Sequence, residues 1–100
     1  MIPDDNSLSP EPISREVEIC NRRGLHARAS AKFAKESAGF EARVDVCKEG
    51  ICVVGTSIMG LMMLGAARGE KIVISAIGAD AQTAVDILSL LVTNRFGEDE

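Results

Sequence analysis

The sequence predicts an α+β fold of two layers, an antiparallel sheet with helices on one side. Three observations predict it. Four short segments alternate apolar and polar residues, the period of two expected of half-buried strands. Three other segments carry apolar residues at helical spacing along one face. The two kinds of segment follow one another as β-α-β-β-α-β-α, and elements with one apolar face bury it by stacking layer on layer. At 100 residues, 46% of them hydrophobic and 26% charged, the chain has the size and composition of one globular domain.

Residues 1–14 contain all three prolines and no periodicity, and are expected to form a disordered acidic tail. The domain is expected over 15–96. In its first strand Glu16 and Glu18 alternate with Val17 and Ile19. Asn21-Arg22-Arg23-Gly24 is a loop whose glycine can take a positive φ. A helix is expected from Ala27 to Ala38. Its bases Arg28, Lys32 and Lys35 share one face, beside a stripe of Ala27, Ala31, Ala34 and Ala38 with Phe33 next to it. Gly39 is expected to end it as a left-handed cap.

A hairpin follows. Ala42, Val44 and Val46 alternate with charged neighbours, Lys48-Glu49-Gly50 turns, and Ile51–Val54 returns. Thr56 and Ser57 offer hydroxyl caps for a short apolar helix, Ile58–Leu64, ended near Gly65 or Gly69. The fourth strand is Lys71–Ile77, followed by a turn at Gly78-Ala79. Asp80 is expected to cap a last helix reaching about Arg95, with Ala81, Ala84, Val85, Leu88, Leu91 and Val92 inward. Residues 97–100 are expected to be an acidic C-terminal tail.

The formal net charge is −4. Asp4, Asp5 and Glu11 put −3 on the first 14 residues, and Glu98-Asp99-Glu100 put −3 on the last, leaving a body of +2. With no Trp or Tyr and three Phe, the chain lacks the material of a nucleic-acid stacking surface. No apolar run approaches the ~20 residues of a membrane span. The N-terminus lacks the apolar core of a signal peptide, so the expected compartment is the cytoplasm. Cys20, Cys47 and Cys52 match neither zinc-ribbon nor C-x-x-C spacing, and are expected to be free, small, buried or half-buried thiols in a reducing cytosol. With one histidine in the chain, no metal site and no cofactor is expected.

The chemistry concentrates in Arg22-Arg23-Gly24-Leu25-His26-Ala27-Arg28. The only histidine follows a glycine turn and opens a helix. The unpaired N–H groups of a helix start favour an anion, and the dipole there opposes a positive ring, leaving a nitrogen lone pair available. Arg28 can fork a phosphate. The segment holds a nucleophile, an anion site and a counter-charge, but no partner acid, base or metal set. That suits a group that accepts and passes on a phosphoryl group, rather than an enzyme completing a reaction. Nor does the chain carry a glycine-rich nucleotide loop.

Gly24-Leu25-His26-Ala27-Arg28 resembles the active-site motif of the HPr family, the histidine phosphocarriers of the bacterial phosphoenolpyruvate:sugar phosphotransferase system. Ser57-Ile58-Met59-Gly60-Leu61-Met62-Met63-Leu64-Gly65 resembles the family's second signature, about 30 residues on. The resemblance spans about 15–94 and implies an open-faced β-sandwich with strand order 1-4-2-3 and three helices on one face. It implies a stoichiometric carrier, monomeric and cytoplasmic, not an enzyme. His26 would be phosphorylated on Nδ1 by phospho-enzyme I and would pass the group to an enzyme II A component or a related regulator. Arg28 would steady the phosphoryl group, and Ser57 would be the site of a regulatory HPr kinase/phosphorylase. The family usually has proline where this chain has Ala29.

Two of these features admit plainer readings. Arg28, Lys32 and Lys35 are either a solvated helix face or a basic rim that steers an acidic partner. A helix lying on one sheet buries only one stripe, so some of Ile58, Met59, Met62 and Met63 must face out, as a docking patch would. The alternative function is a regulatory binding module of the same fold, serving nitrogen-branch or carbon-control signalling, docking through that helix and switched at Ser57.

Overall fold

Strand β1 runs Ile13–Glu18, followed by helix α1, Ala27–Ala38. Strands β2, Arg43–Lys48, and β3, Ile51–Val54, form the hairpin. Helix α2, Ile58–Met63, leads to β4, Lys71–Ile77, and helix α3, Ala81–Thr93, leads to a 3₁₀ turn at Arg95–Gly97. The structure, a computed structural model, describes residues 11–100; most of the segment expected to be disordered lies outside them.

The four strands pair antiparallel in the order β1-β4-β2-β3, as expected. One face of the sheet presents Val17, Val44, Val46, Ile72, Ile74 and Ala76, all buried. The helices cover that face with Phe33, Ala34, Leu61, Val85, Leu88 and Val92.

Several local expectations change. Strand β1 starts at Ile13, not Arg15, because Ile13 and Ser14 pair with Ala76 and Ser75, and the Ser14 hydroxyl donates to Ser75 Oγ at 3.0 Å. Pro12, which has no N–H to give a ladder, stands just before it. Helix α1 is rotated relative to the alanine stripe. Its buried face is Ala29, Ser30, Phe33, Ala34 and Ser37, while Ala27 and Ala38 are exposed. Phe33, the largest apolar side chain of the helix, sets the rotation and is fully buried. Ser30 tolerates burial because its hydroxyl donates to Leu25 O at 3.2 Å. Gly39 is right-handed, at φ −82° and ψ −6°, so it ends α1 without a left-handed cap.

Asp80 stands at the N-cap position of α3, but its carboxylate accepts from the Glu41 N–H at 2.7 Å, not from its own helix. That contact pins the end of β4 to the start of β2. Helix α3 stops at Thr93, short of Arg95. Arg95 and Phe96 take φ of 59° and 54°, which turns the fully buried Phe96 under the helices.

The cysteine expectation is overturned. Cys47 and Cys52 form a disulfide across the β2–β3 hairpin, their Cα atoms 4.0 Å apart. Glu49 and Gly50, both at positive φ, make a two-residue turn, and this turn sets Cys47 directly opposite Cys52. Spacing alone conceals the pair, because the register depends on the turn type. Cys20 remains a free thiol.

Candidate functional site

The site begins where β1 hands over to α1. Asn21 is fully buried; its Nδ2 donates to Gly24 O at 2.8 Å and closes the loop. Gly24 has φ +65°, and a Cβ there would lie 2.3 Å from Ala66 O. Only glycine fits both the conformation and the approach. The next residue uses that closeness: Leu25 N–H donates to Ala66 O at 3.0 Å. The loop carrying the histidine is thereby joined to the chain leaving α2.

His26 is the N-cap of α1, with extended backbone at φ −76° and ψ −178°. Its Nδ1 accepts from the Arg28 N–H at 3.4 Å, a long contact that turns this nitrogen toward the helix start. Its Nε2 meets Glu98 Oε2 at 2.6 Å, with the two side chains only 19% and 15% exposed. The other carboxylate oxygen accepts from Asn21 Nδ2 at 3.0 Å. Burial pushes the Glu98 carboxyl up, but hydrogen bonds from His26 and Asn21, with His26 and Lys32 nearby, outweigh it and hold the group below its ordinary value. An ionised carboxylate only accepts, so Nε2 must carry the shared hydrogen. In the neutral ring this leaves the lone pair on Nδ1.

Around the histidine is an open cleft of about 510 Å³, lined by the bases Arg22, Arg23 and Arg28 and the acids Glu98, Asp99 and Glu100. The acidic end is not a free tail. Arg22 N–H donates to Glu100 O at 2.9 Å, with its guanidinium 3.5 Å from the Glu100 carboxylate. Arg95 Nη1 donates to Asp99 O at 3.0 Å. Lys32 donates to Phe96 O at 2.7 Å, so this base anchors the returning segment and is not merely solvated. Two acids therefore stand as counter-ions in the cleft, Glu98 against His26 and Glu100 against Arg22, while Asp99 is held through its backbone carbonyl.

The structure joins the sequence's two informative segments. Ser57 is the N-cap of α2, its Oγ accepting from the Gly60 N–H at 2.9 Å. From this helix Leu61 is buried, whereas Ile58, Met59, Met62 and Met63 are 43%, 71%, 41% and 80% exposed. Sequence reasoning missed Glu98 and Asn21. The available signal was the sign match between Glu98-Asp99-Glu100 and Arg22-Arg23. Among the described residues, no group of three or more His, Cys, Asp and Glu could hold a metal ion. No helix among them is long and apolar enough to cross a membrane.

The family described as "PTS HPr component phosphorylation site" matches residues 13–94. The phosphocarrier protein HPr of Cupriavidus necator is 43% identical over 88 residues, covering 88% of this chain and 99% of that protein. The phosphocarrier protein HPr of Neisseria meningitidis serogroup A is 46% identical over 88 residues, with the same coverage of 88% and 99%. Among solved structures, HPr-C-His from Thermoanaerobacter tengcongensis superposes with a TM-score of 0.84 at 36% identity, covering 88% of this chain and 99% of that one.

Proposed function

The chain belongs to the HPr family of phosphotransferase-system phosphocarriers, and we propose that it relays a phosphoryl group through His26. The donor is phospho-enzyme I, charged by phosphoenolpyruvate. The acceptor is an enzyme II A component or a related regulator. The observation that supports this most is the histidine's placement: one ring nitrogen is engaged by Glu98, and the other faces the open N–H groups of a helix start.

The transfer follows from these groups. The Nδ1 lone pair attacks the donor's phosphorus, and the donor's N–P bond breaks with its electron pair returning to the donor ring. The arriving oxygens lie against the first-turn N–H groups and Arg28, which offset their charge. The step reverses on the acceptor, so the protein acts as a stoichiometric carrier.

Incubation with enzyme I and phosphoenolpyruvate is expected to place one acid-labile, base-stable phosphate on the chain. His26→Ala is expected to abolish it with an unchanged circular dichroism spectrum; a variant that still labels would refute the assignment. Arg28→Ala is expected to slow labelling by about tenfold or more, from the ~1.5–3 kcal/mol of a charge-assisted hydrogen bond.

Control at Ser57 forms a second layer of this proposal, favoured by the position of that hydroxyl next to the exposed Ile58, Met59, Met62 and Met63. These four side chains are the docking surface, and a charge at Ser57 weakens docking of an acidic partner. The HPr kinase/phosphorylase is the enzyme that would add and remove it. Ser57→Asp keeps an N-cap acceptor and is expected to slow labelling by enzyme I. Equal rates in Ser57→Asp and the parent across a range of salt would remove this layer.

A further inference from the structure

We infer that Glu98 is a positioning residue that decides which nitrogen of His26 takes the phosphoryl group and steadies the charge that transfer creates on the ring. The inference rests on the carrier reading of His26.

The geometry is built, not incidental. Glu98 arrives from the far end of the chain, 72 residues from His26. Two successive non-glycine residues, Arg95 and Phe96, adopt left-handed backbone to bring it there, and Gly97 follows at φ +77°. Left-handed backbone at bulky residues persists only where the surroundings impose it. Here the surroundings are the buried Phe96 ring, the Lys32–Phe96 O bond and the second Glu98 oxygen held by buried Asn21. The backbone leading to Glu98 is therefore held at Phe96 and the carboxylate itself by Asn21, with its other oxygen 2.6 Å from Nε2.

Two consequences follow for the chemistry. First, Nε2 is covered and its hydrogen committed, so Nδ1 alone can attack. Second, when Nδ1 bonds to phosphorus while Nε2 keeps its hydrogen, the ring becomes cationic. A carboxylate on the opposite edge stabilises that cation without touching the phosphoryl oxygens, as the orienting carboxylate of a Ser-His-Asp triad does for its imidazolium. When the phosphoryl group departs, the N–P electron pair returns to Nδ1 and the ring is neutral again.

The test separates position from charge. Glu98→Gln keeps an oxygen that can accept from Nε2–H but carries no charge; Glu98→Ala removes both. Phosphoramidate serves as a small donor, its N–P bond breaking as ammonia leaves, so that the ring's selectivity is read without enzyme I. The parent is expected to give only Nδ1-phosphohistidine, identified by ³¹P NMR. Glu98→Ala is expected to add the Nε2 isomer and to lose the downfield Nε2–H proton signal of the ring. Glu98→Gln is expected to stay Nδ1-selective, yet to accept phosphate from enzyme I more slowly, by on the order of tenfold, the scale of one lost charge-assisted interaction.

Pure Nδ1 product from Glu98→Ala at the parent's rate would overturn the inference. Faster labelling of either variant by enzyme I would also overturn it, by showing that Glu98 obstructs the ring. If phosphoramidate gives the expected isomers but enzyme I labels nothing, the carrier reading fails while the control of the ring by Glu98 stands.

Discussion

Gly24→Ala tests how tightly the histidine loop is held, and Gly65→Ala supplies its control. Both glycines are left-handed, at φ +65° and +62°. A Cβ at position 65 would meet nothing within 4 Å, whereas one at position 24 would lie 2.3 Å from Ala66 O. The shared conformational cost of a left-handed Cβ is about 1–2 kcal/mol, reduced by the ~0.4–1 kcal/mol gained from a less flexible unfolded chain. Gly65→Ala is therefore expected to lose no more than about 1.5 kcal/mol. At position 24 the backbone must also retreat, and the 3.0 Å Leu25–Ala66 bond breaks. That adds about 1–3 kcal/mol, because a buried carbonyl or N–H is left without its partner. Urea denaturation of both variants gives the difference, with equal m-values required for the comparison. Gly24→Ala is also expected to label more slowly at His26, whereas Gly65→Ala labels normally. Equal stability losses in the two variants would refute the reasoning, since the loop would then yield freely at Ala66.

Ala29→Pro is expected to leave labelling intact and raise stability by about 0.4–1 kcal/mol, since proline suits the first turn of a helix and narrows the unfolded ensemble; a lower melting temperature would contradict the helix start at His26. Reducing the Cys47–Cys52 disulfide is expected to cost up to about 2 kcal/mol, from closure of a loop of sequence separation 5. Transfer should be unaffected, and urea midpoints with and without reductant measure the stability change. Glu98 is held below the ordinary glutamate value, so its docking adds stability in full above the unfolded-chain value and loses it as the pH falls through the lowered one. NMR signals of residues 98–100 are expected to detach across that acidic window in the parent. Loss of docking on raising the pH from neutral would contradict the sign.

The architecture was legible because the elements follow simple periods. Val44 and Val46 in β2, and Ile72, Ile74 and Ala76 in β4, point inward as alternation requires. The strand order came from the family resemblance, since alternation carries no information about which strand neighbours which. The rotation of α1 was misread because four alanines in one stripe outnumber one phenylalanine on a helical wheel, while burial is governed by size. His26 at its N-cap and Ser57 at the next were readable because both capping and the glycine turn are local. Glu98, Asn21 and the disulfide were not. Each depends on a contact whose register is set elsewhere: by the positive φ of Arg95 and Phe96, by the loop closed at Gly24, or by the turn at Glu49-Gly50. Asp80 had the right position for a cap, yet an N–H from the loop before β2 lay closer to hand.

The strand order also has a bearing on when the site comes into being. β1 lies at the edge of the sheet, and its one strand partner is β4, in pairs from Glu18↔Lys71 to Ile13↔Ala76. The hairpin and the helices close over short stretches of chain, but this pairing must wait for the long one, whose closure is entropically slower. On a ribosome the histidine emerges well before the strand that holds its loop in place, and the carboxylate that faces its ring is made later still. Ordering of the His26 loop is therefore a late folding event. A chain interrupted before β4 would display the nucleophile on an unformed loop, and could not present it to a partner in the geometry that transfer needs.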